Sequence, residues 1–149
     1  MTSELHIKVA DRLAEIGQRY TSGRRLLVDA LVRAGSPLPL PAILTRHRAL
    51  KQSSVYRNLA ALEQAGVVRR VVTDQGFGRY ELTEDLTGHH HHLVCSNCRA
   101  VEDVDFAPTF EVRLESELRE LADRTGFSAV SHRLDLIGLC RRCASAASA

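Results

Sequence analysis

Two CxxC pairs, Cys95-Ser-Asn-Cys98 and Cys140-Arg-Arg-Cys143, flank a long intervening stretch, and a run of four histidines, His89 to His92, leads into the first pair. Together these residues use all four cysteines and four of the seven histidines. Two thiolate pairs at this spacing fit the closed tetrahedral set of a structural zinc site, which pins distant segments to one point. The stretch between the knuckles exceeds that of a compact zinc ribbon, so a strand-and-helix unit must be inserted there. Val101, Val104 and Phe106 suggest a strand. Pro108 opens a helix through Phe110, Leu114, Leu118 and Leu121 that stops at Gly126, and Val130, Leu134, Leu136 and Leu139 supply further strand. The histidine run precedes Leu93-Val94 and reads as extended, so His89 and His91 should point to one face and His90 and His92 to the other. One tetrapeptide can then serve two metal sites. Imidazole suits zinc, iron, copper and nickel alike and does not name the ion.

A chain of 149 residues makes one ordinary domain or two small ones, and small domains need a staple. No apolar run approaches the roughly 20 residues of a membrane helix, and the first residues lack the pattern of a signal peptide, which predicts a soluble cytoplasmic protein with no membrane partner. Thiols stay reduced in that compartment, which favours metal over disulfides. The net charge of +2 decides little, but arginines crowd the first half and most of the acids lie from Glu84 onward.

The first half carries helical periodicity. Leu5, Val9, Leu13 and Ile16 precede a stop at Gly17. A second helix, capped by Thr21 or Ser22, turns Leu26, Leu27, Ala30 and Leu31 inward and ends at Gly35. Pro39 or Pro41 opens a short third helix. The fourth, from Lys51 or Gln52 to about Ala65, buries Val55, Leu59 and Leu62 and leaves Ser53, Arg57, Ala60 and Gln64 outward, with Tyr56 on the shoulder. Alternating residues from Val67 to Thr73, a Gly-rich turn at Asp74 to Gly78, and Arg79 to Thr83 form a hairpin. Helices followed by a basic hairpin make a winged helix-turn-helix whose fourth helix enters the major groove. The predicted fold is α+β: a winged-helix DNA-binding domain over 1–83, a connecting segment at 84–88, and a small α/β domain with a four-cysteine zinc site over 89–149.

Two other classes compete. A zinc hydrolase needs an open coordination position beside a general base, nominally Glu81 or Glu102, whereas the cysteine set is closed. A zinc-stapled adaptor would use the basic helix for protein docking. The reading is a DNA-binding regulator, not an enzyme, with no small-molecule substrate.

The residues resemble the ferric uptake regulator family of bacterial metal-dependent repressors, and its zinc uptake branch most. The likeness rests on Thr21-Ser-Gly-Arg24, Ser54-Val-Tyr-Arg-Asn-Leu59, Tyr80-Glu-Leu82, the histidine run leading into Cys95-x-x-Cys98, Ser131-His132, and Cys140-x-x-Cys143, over nearly the whole chain. It implies a homodimer on palindromic AT-rich double-stranded DNA, controlling metal-uptake genes, with 84–88 as a hinge and 89–149 as the dimerisation domain. It also implies structural Zn(2+) on Cys95, Cys98, Cys140 and Cys143. His89, His91, His132 and a glutamate would form a site in the dimerisation domain, with Glu111 first and Glu115 one turn on as the alternative. Glu81, His90 and His92 would form an inter-domain regulatory site lacking the family's remaining ligand, to be completed by Asp74, Asp85, His47, His6 or water. Histidine at position 91 leans towards a zinc sensor; an iron sensor with Fe(2+) at the regulatory sites shares every motif. For DNA the resemblance points to Tyr56 and Arg57 in the major groove, with contacts from Ser53, Ser54, Asn58, Lys51, Arg19 and Arg24.

Overall fold

The computed structural model describes residues 2–46, 48, 51–72, 78–128 and 131–147. The chain divides into two compact units, Met1–Gly88 and His89–Ala149.

In the first unit, α1 (Thr2–Glu15) and α2 (Ser22–Ala34) are followed by β1 (Leu38–Pro39), α3 (Leu40–Arg46), α4 (Gln52–Gln64), β2 (Val68–Val72), β3 (Gly78–Leu82) and the one-turn α5 (Glu84–Thr87). The Thr21 side chain accepts from the Arg24 amide at the start of α2, and Gly35 ends that helix in the left-handed conformation, which lacks the steric penalty of a Cβ there. Val9 and Leu13 of α1, Leu27, Val28 and Leu31 of α2, Ile43 of α3, and Val55, Leu59 and Leu62 of α4 form one apolar core, closed by Val67, Val68 and Leu82. Leu26 departs from expectation and is 41% exposed, while Val28 takes the inward place. The core stripe of α2 centres on Leu27 and Leu31, and one residue is 100° of helix, so Val28 falls on the buried flank and Leu26 on the open one.

The wing is a sheet in the order β1-β3-β2, with Val68 opposite Leu82 and Arg70 opposite Tyr80. Pro39 sits on the edge strand β1 opposite Arg79 instead of opening the third helix; an edge position tolerates the missing amide. The expected turn at Asp74 lies outside the described residues, which resume at Gly78. The segment expected as a hinge carries α5. Arg12 of α1 reaches the Gly66 carbonyl at 2.7 Å and pairs with Asp85, so α1 and α5 are tied within this unit.

The second unit contains β4 (His91–Cys95), β5 (Val101–Val104), α6 (Pro108–Thr125), β6 (Asp135–Gly138) and α7 (Arg141–Ala147). Its sheet order is β5-β4-β6, with β4 antiparallel to β5 and parallel to β6. Pro108 stands in the first turn of α6, and Gly126 closes it with a left-handed φ of 68°. At the end of the chain α7 runs through Ala147, with Ser145 donating to the Arg141 carbonyl at 3.0 Å; Ser148 and Ala149, like Val130, lie outside the described residues.

Candidate metal centres and nucleic-acid interface

The parallel register that sets Cys95 beside Gly138 brings the two CxxC pairs together, since Cys140 follows β6 directly and Cys143 lies on α7. The Ser96 amide donates to the Gly138 carbonyl at 2.8 Å and locks the knuckle to β6. Arg99, at the end of the knuckle, has a positive φ of 61°, a left-handed turn that costs a non-glycine residue about 1 kcal/mol or more. All four cysteines are free of disulfides, and their sulfurs lie within 4.8 Å of one another. Cys98 Sγ and Cys140 Sγ are 3.7 Å apart. A tetrahedron with Zn–S bonds of about 2.3 Å has edges of about 3.8 Å, so the set fits a tetrahedral thiophilic ion. The Cys140 amide donates to Cys95 Sγ at 3.3 Å; that bond first, and the Cys98 amide next, hold the Cys95 thiol down to about 6. On Cys140 the Cys143 amide pulls the same way but is outweighed by hydrogen bonding with the Cys143 thiol, burial and the other thiols, which push it up to about 11. The cluster favours thiolate at Cys95 and, through the Ala100 amide, at Cys98, and resists it at Cys140, as expected where several negative charges crowd together.

The histidine run, whose last two members open β4, is parted between two faces. On one face the donor atoms of His89, His91, Glu111 and His132 lie within 4.8 Å of one another. His91 is 1% exposed and its Nε2 meets Glu111 Oε1 at 2.7 Å. His89 Nε2 and His132 Nε2 approach to 3.2 Å, near the roughly 3.3 Å edge of a tetrahedron with Zn–N bonds of about 2.0 Å. Glu111 Oε2 faces these two nitrogens at 3.8 and 3.7 Å. It is buried and makes no hydrogen bond, nor does His91 Nδ1. An orphaned carboxylate oxygen aimed at two imidazole nitrogens fits a cation among them. Glu111, on the first turn of α6, is therefore the glutamate the fold brings here, while Glu115 is exposed and outside the group.

On the opposite face are His90 and His92, 1% exposed in the latter case, with Asp103 and Asp135. The ligand atoms of His90, His92 and Asp103 also lie within 4.8 Å of one another. The sequence alone marks neither aspartate as a candidate ligand. Both are strand residues set directly beside His92, Asp103 on β5 and Asp135 on β6, so pairing register was the missing signal. Burial would raise the Asp135 carboxyl, but hydrogen bonds from Arg133 and His92 outweigh it and hold the group below the ordinary range.

Glu81 belongs to the first unit, at the end of β3. It is buried there and accepts from Arg69 Nε at 2.5 Å, and Arg69 also pairs with Glu84. Of the residues named to complete its site, Asp85 is bonded to Arg12, and His6 lies between Tyr20 Oη at 2.6 Å and Asp29 at 3.1 Å. Asp74 and His47 lie outside the described residues. Burial, with the Asp29 charge second, pushes the Tyr20 hydroxyl up to about 12.

On the outward face of α4, Ser53, Tyr56 and Arg57 are exposed, Tyr56 by 48%, with Ser54 and Asn58 half-buried beside them and Lys51 exposed at the N-cap. Arg19 is exposed before α2. Arg24 is not a free cation: it donates to the Arg19 carbonyl at 2.5 Å and to Gln18 Oε1 at 2.6 Å, fixing the loop that presents Arg19.

The model of the ferric uptake regulator family matches residues 15–137. The ferric uptake regulation protein of Cupriavidus metallidurans is 34% identical over 100 residues, covering 67% of this chain and 65% of that protein, just under two thirds of its length. The peroxide operon regulator of Bacillus subtilis is 26% identical over 140 residues, covering 89% of each. The ferric uptake regulator of Helicobacter pylori, a protein with three functional metal-binding sites, shares the fold at a TM-score of 0.76 and 22% identity, over 97% of this chain and 94% of that one. With the family model matched across most of the chain and the fold shared over 97% of it, this chain belongs to the ferric uptake regulator family.

Proposed function

We propose that this chain is a zinc-responsive repressor that binds palindromic, AT-rich operator DNA as a homodimer and controls metal-uptake genes. The observation that carries the reading is the partition of one histidine run into two donor clusters on opposite faces of β4, apart from a closed set of four thiols. A closed thiolate set suits a permanent structural ion, whereas clusters of imidazole and carboxylate suit an exchangeable one. A bound divalent ion supplies positive charge that draws together donors otherwise opposed by desolvation and like charge.

The chain's own residues would then divide the work. Cys95, Cys98, Cys140 and Cys143 hold structural zinc. His89, His91, Glu111 and His132 hold a second ion, and histidine at position 91 leans towards zinc as the family resemblance implies. His90, His92 and Asp103 hold the regulatory ion, with Glu81 joining from the DNA-binding domain as the family resemblance implies. Residues 1–83 act as that domain, 84–88 as the hinge, and 89–149 as the dimerisation domain. The exposed apolar side chains of the second unit, among them Phe110, Val112, Phe127, Leu136 and Ile137, offer a surface for a second copy. Tyr56 and Arg57 read bases, Arg57 through two hydrogen bonds to guanine and Tyr56 through thymine methyl contact. Ser53, Ser54, Asn58, Lys51 and Arg19 add backbone or base contacts, and Arg24 acts by holding the Arg19 loop. No helix among the described residues is long and apolar enough to cross a membrane, consistent with work in the cytoplasm.

Metal shifts the DNA-binding equilibrium only by its difference in affinity for the two forms, and DNA must tighten metal binding by the same factor. Adding Zn(2+) or Fe(2+) to the chelated dimer while following a palindromic duplex by fluorescence anisotropy tests the reading. Recovery at sub-micromolar Zn(2+) supports it; recovery with Fe(2+) alone makes the protein an iron sensor.

A further inference from the structure

The two buried histidines of β4 are held differently. His91 leaves Nδ1 without a hydrogen bond, whereas His92 Nδ1 lies 3.2 Å from Asp135 Oδ1. That contact is built into the sheet, because β4 and β6 run parallel with His92 beside Asp135 and the His92 amide donates to the Leu134 carbonyl at 3.4 Å. Asp135 is itself fixed from outside: Arg133 Nε reaches Oδ1 at 3.2 Å and Arg133 Nη2 bonds Oδ2. On its other side the His92 ring turns Nε2 towards Asp103 Oδ1 at 3.9 Å, and His90 Nε2 faces Asp103 Oδ2 at 3.9 Å.

We infer that Asp135 is a positioning residue that fixes the tautomer and ring plane of His92, with Arg133 holding Asp135 in turn, so that Nε2 is presented as a lone pair to a divalent cation beside Asp103 and His90. The inference rests on the reading that His90, His92 and Asp103 hold exchangeable metal. An ionised carboxylate can only accept, so a neutral His92 bonded to Asp135 carries its hydrogen on Nδ1 and its lone pair on Nε2. An imidazole whose second nitrogen donates to a carboxylate is also a more basic, pre-oriented ligand, and loss of such a partner weakens metal binding by about 10- to 100-fold. His90 and His92 present edge to face, with ring centroids 5.2 Å apart, so a rotated His92 ring would displace both donors.

The test uses the full-length protein with the four thiols loaded with Zn(2+), whose retention through mild chelation at one ion per chain reports an intact second unit. Nitrogen-15 NMR of the imidazoles, before exchangeable metal is added, should show His92 as the Nδ1–H tautomer in the parent and as a mixture or the Nε2–H form in Asp135→Ala. Zinc affinity by chelator competition should fall about 10- to 100-fold in Asp135→Ala and recover largely in Asp135→Asn, whose amide oxygen still accepts. An Nε2–H tautomer in the parent, or affinity within twofold of the parent in Asp135→Ala, overturns the inference. His92→Ala tests the underlying site separately: unchanged zinc stoichiometry in that variant rejects the metal site itself, whatever the tautomer shows.

Discussion

The two units are held together by different chemistry. The first encloses an apolar core in which Val9, Leu13, Leu27, Val28, Val55, Val67 and Leu62 are wholly shielded from solvent. Among the described residues of the second, the buried side chains are Val101 and Ala122 together with Cys95, Cys143, His91 and His92, so candidate metal donors occupy much of the place that hydrocarbon fills in the first. The exposed apolar residues of the second unit, Val112, Phe127, Leu136 and Leu139 among them, would cost it further stability in isolation. On the proposed reading, a unit with so little apolar interior draws its stability from bound metal and a second copy, whereas the first should fold on its own core.

The sharpest way to break that comparison is to take the staple away. Cys98→Ala should abolish the cooperative transition of the second unit and dissociate the dimer, since structural zinc contributes on the order of 10 kcal/mol in small domains. The first unit should keep its own thermal transition; a calorimetric scan showing both lost together would contradict the division. The converse is Leu59→Ala, which opens a cavity in the first core and should destabilise it by about 2 to 5 kcal/mol, with zinc content per chain unchanged by elemental analysis. Arg57→Ala leaves both cores alone and should weaken operator binding by about 1 to 3 kcal/mol while relaxing discrimination at one base pair, read as anisotropy on a set of single-substituted duplexes. Thr21→Ala removes the cap that accepts from the Arg24 amide at 3.4 Å and should cost the first unit about 0.5 to 1 kcal/mol in urea unfolding. A further effect shows only in alkali. Tyr20 titrates near 12 when folded against an ordinary value of 10, so the unfolded chain loses this proton first and stability falls as pH rises from about 10 to about 12. Tyr20→Phe should remove that component of the slope.

Helices with strong local signals were legible in the sequence. In α4, Val55, Leu59 and Leu62 lie on one face and are buried, because that spacing has no other use in a polar segment. Gly35 and Gly126 end their helices with left-handed φ. The parting of the histidine run between two faces follows from the strand period alone. Features that depend on pairing between distant segments were not legible. β1 is two residues long and includes Pro39, so no periodicity marks it. Asp103 and Asp135 look like ordinary exposed strand residues until register places them beside His92. Arg24 reads as a surface cation until the loop folds back and offers it the Arg19 carbonyl.

The measurement that reaches the centre of this account is operator affinity with and without exchangeable metal, taken on protein whose four-thiolate ion is shown by elemental analysis to be retained throughout. Tight binding to a palindromic duplex only when the histidine and carboxylate clusters are loaded, with one ion per chain surviving chelation, is the predicted result. Equal affinity in the chelated and reloaded states, with the structural ion still in place, would contradict it and leave metal in this protein as a staple alone.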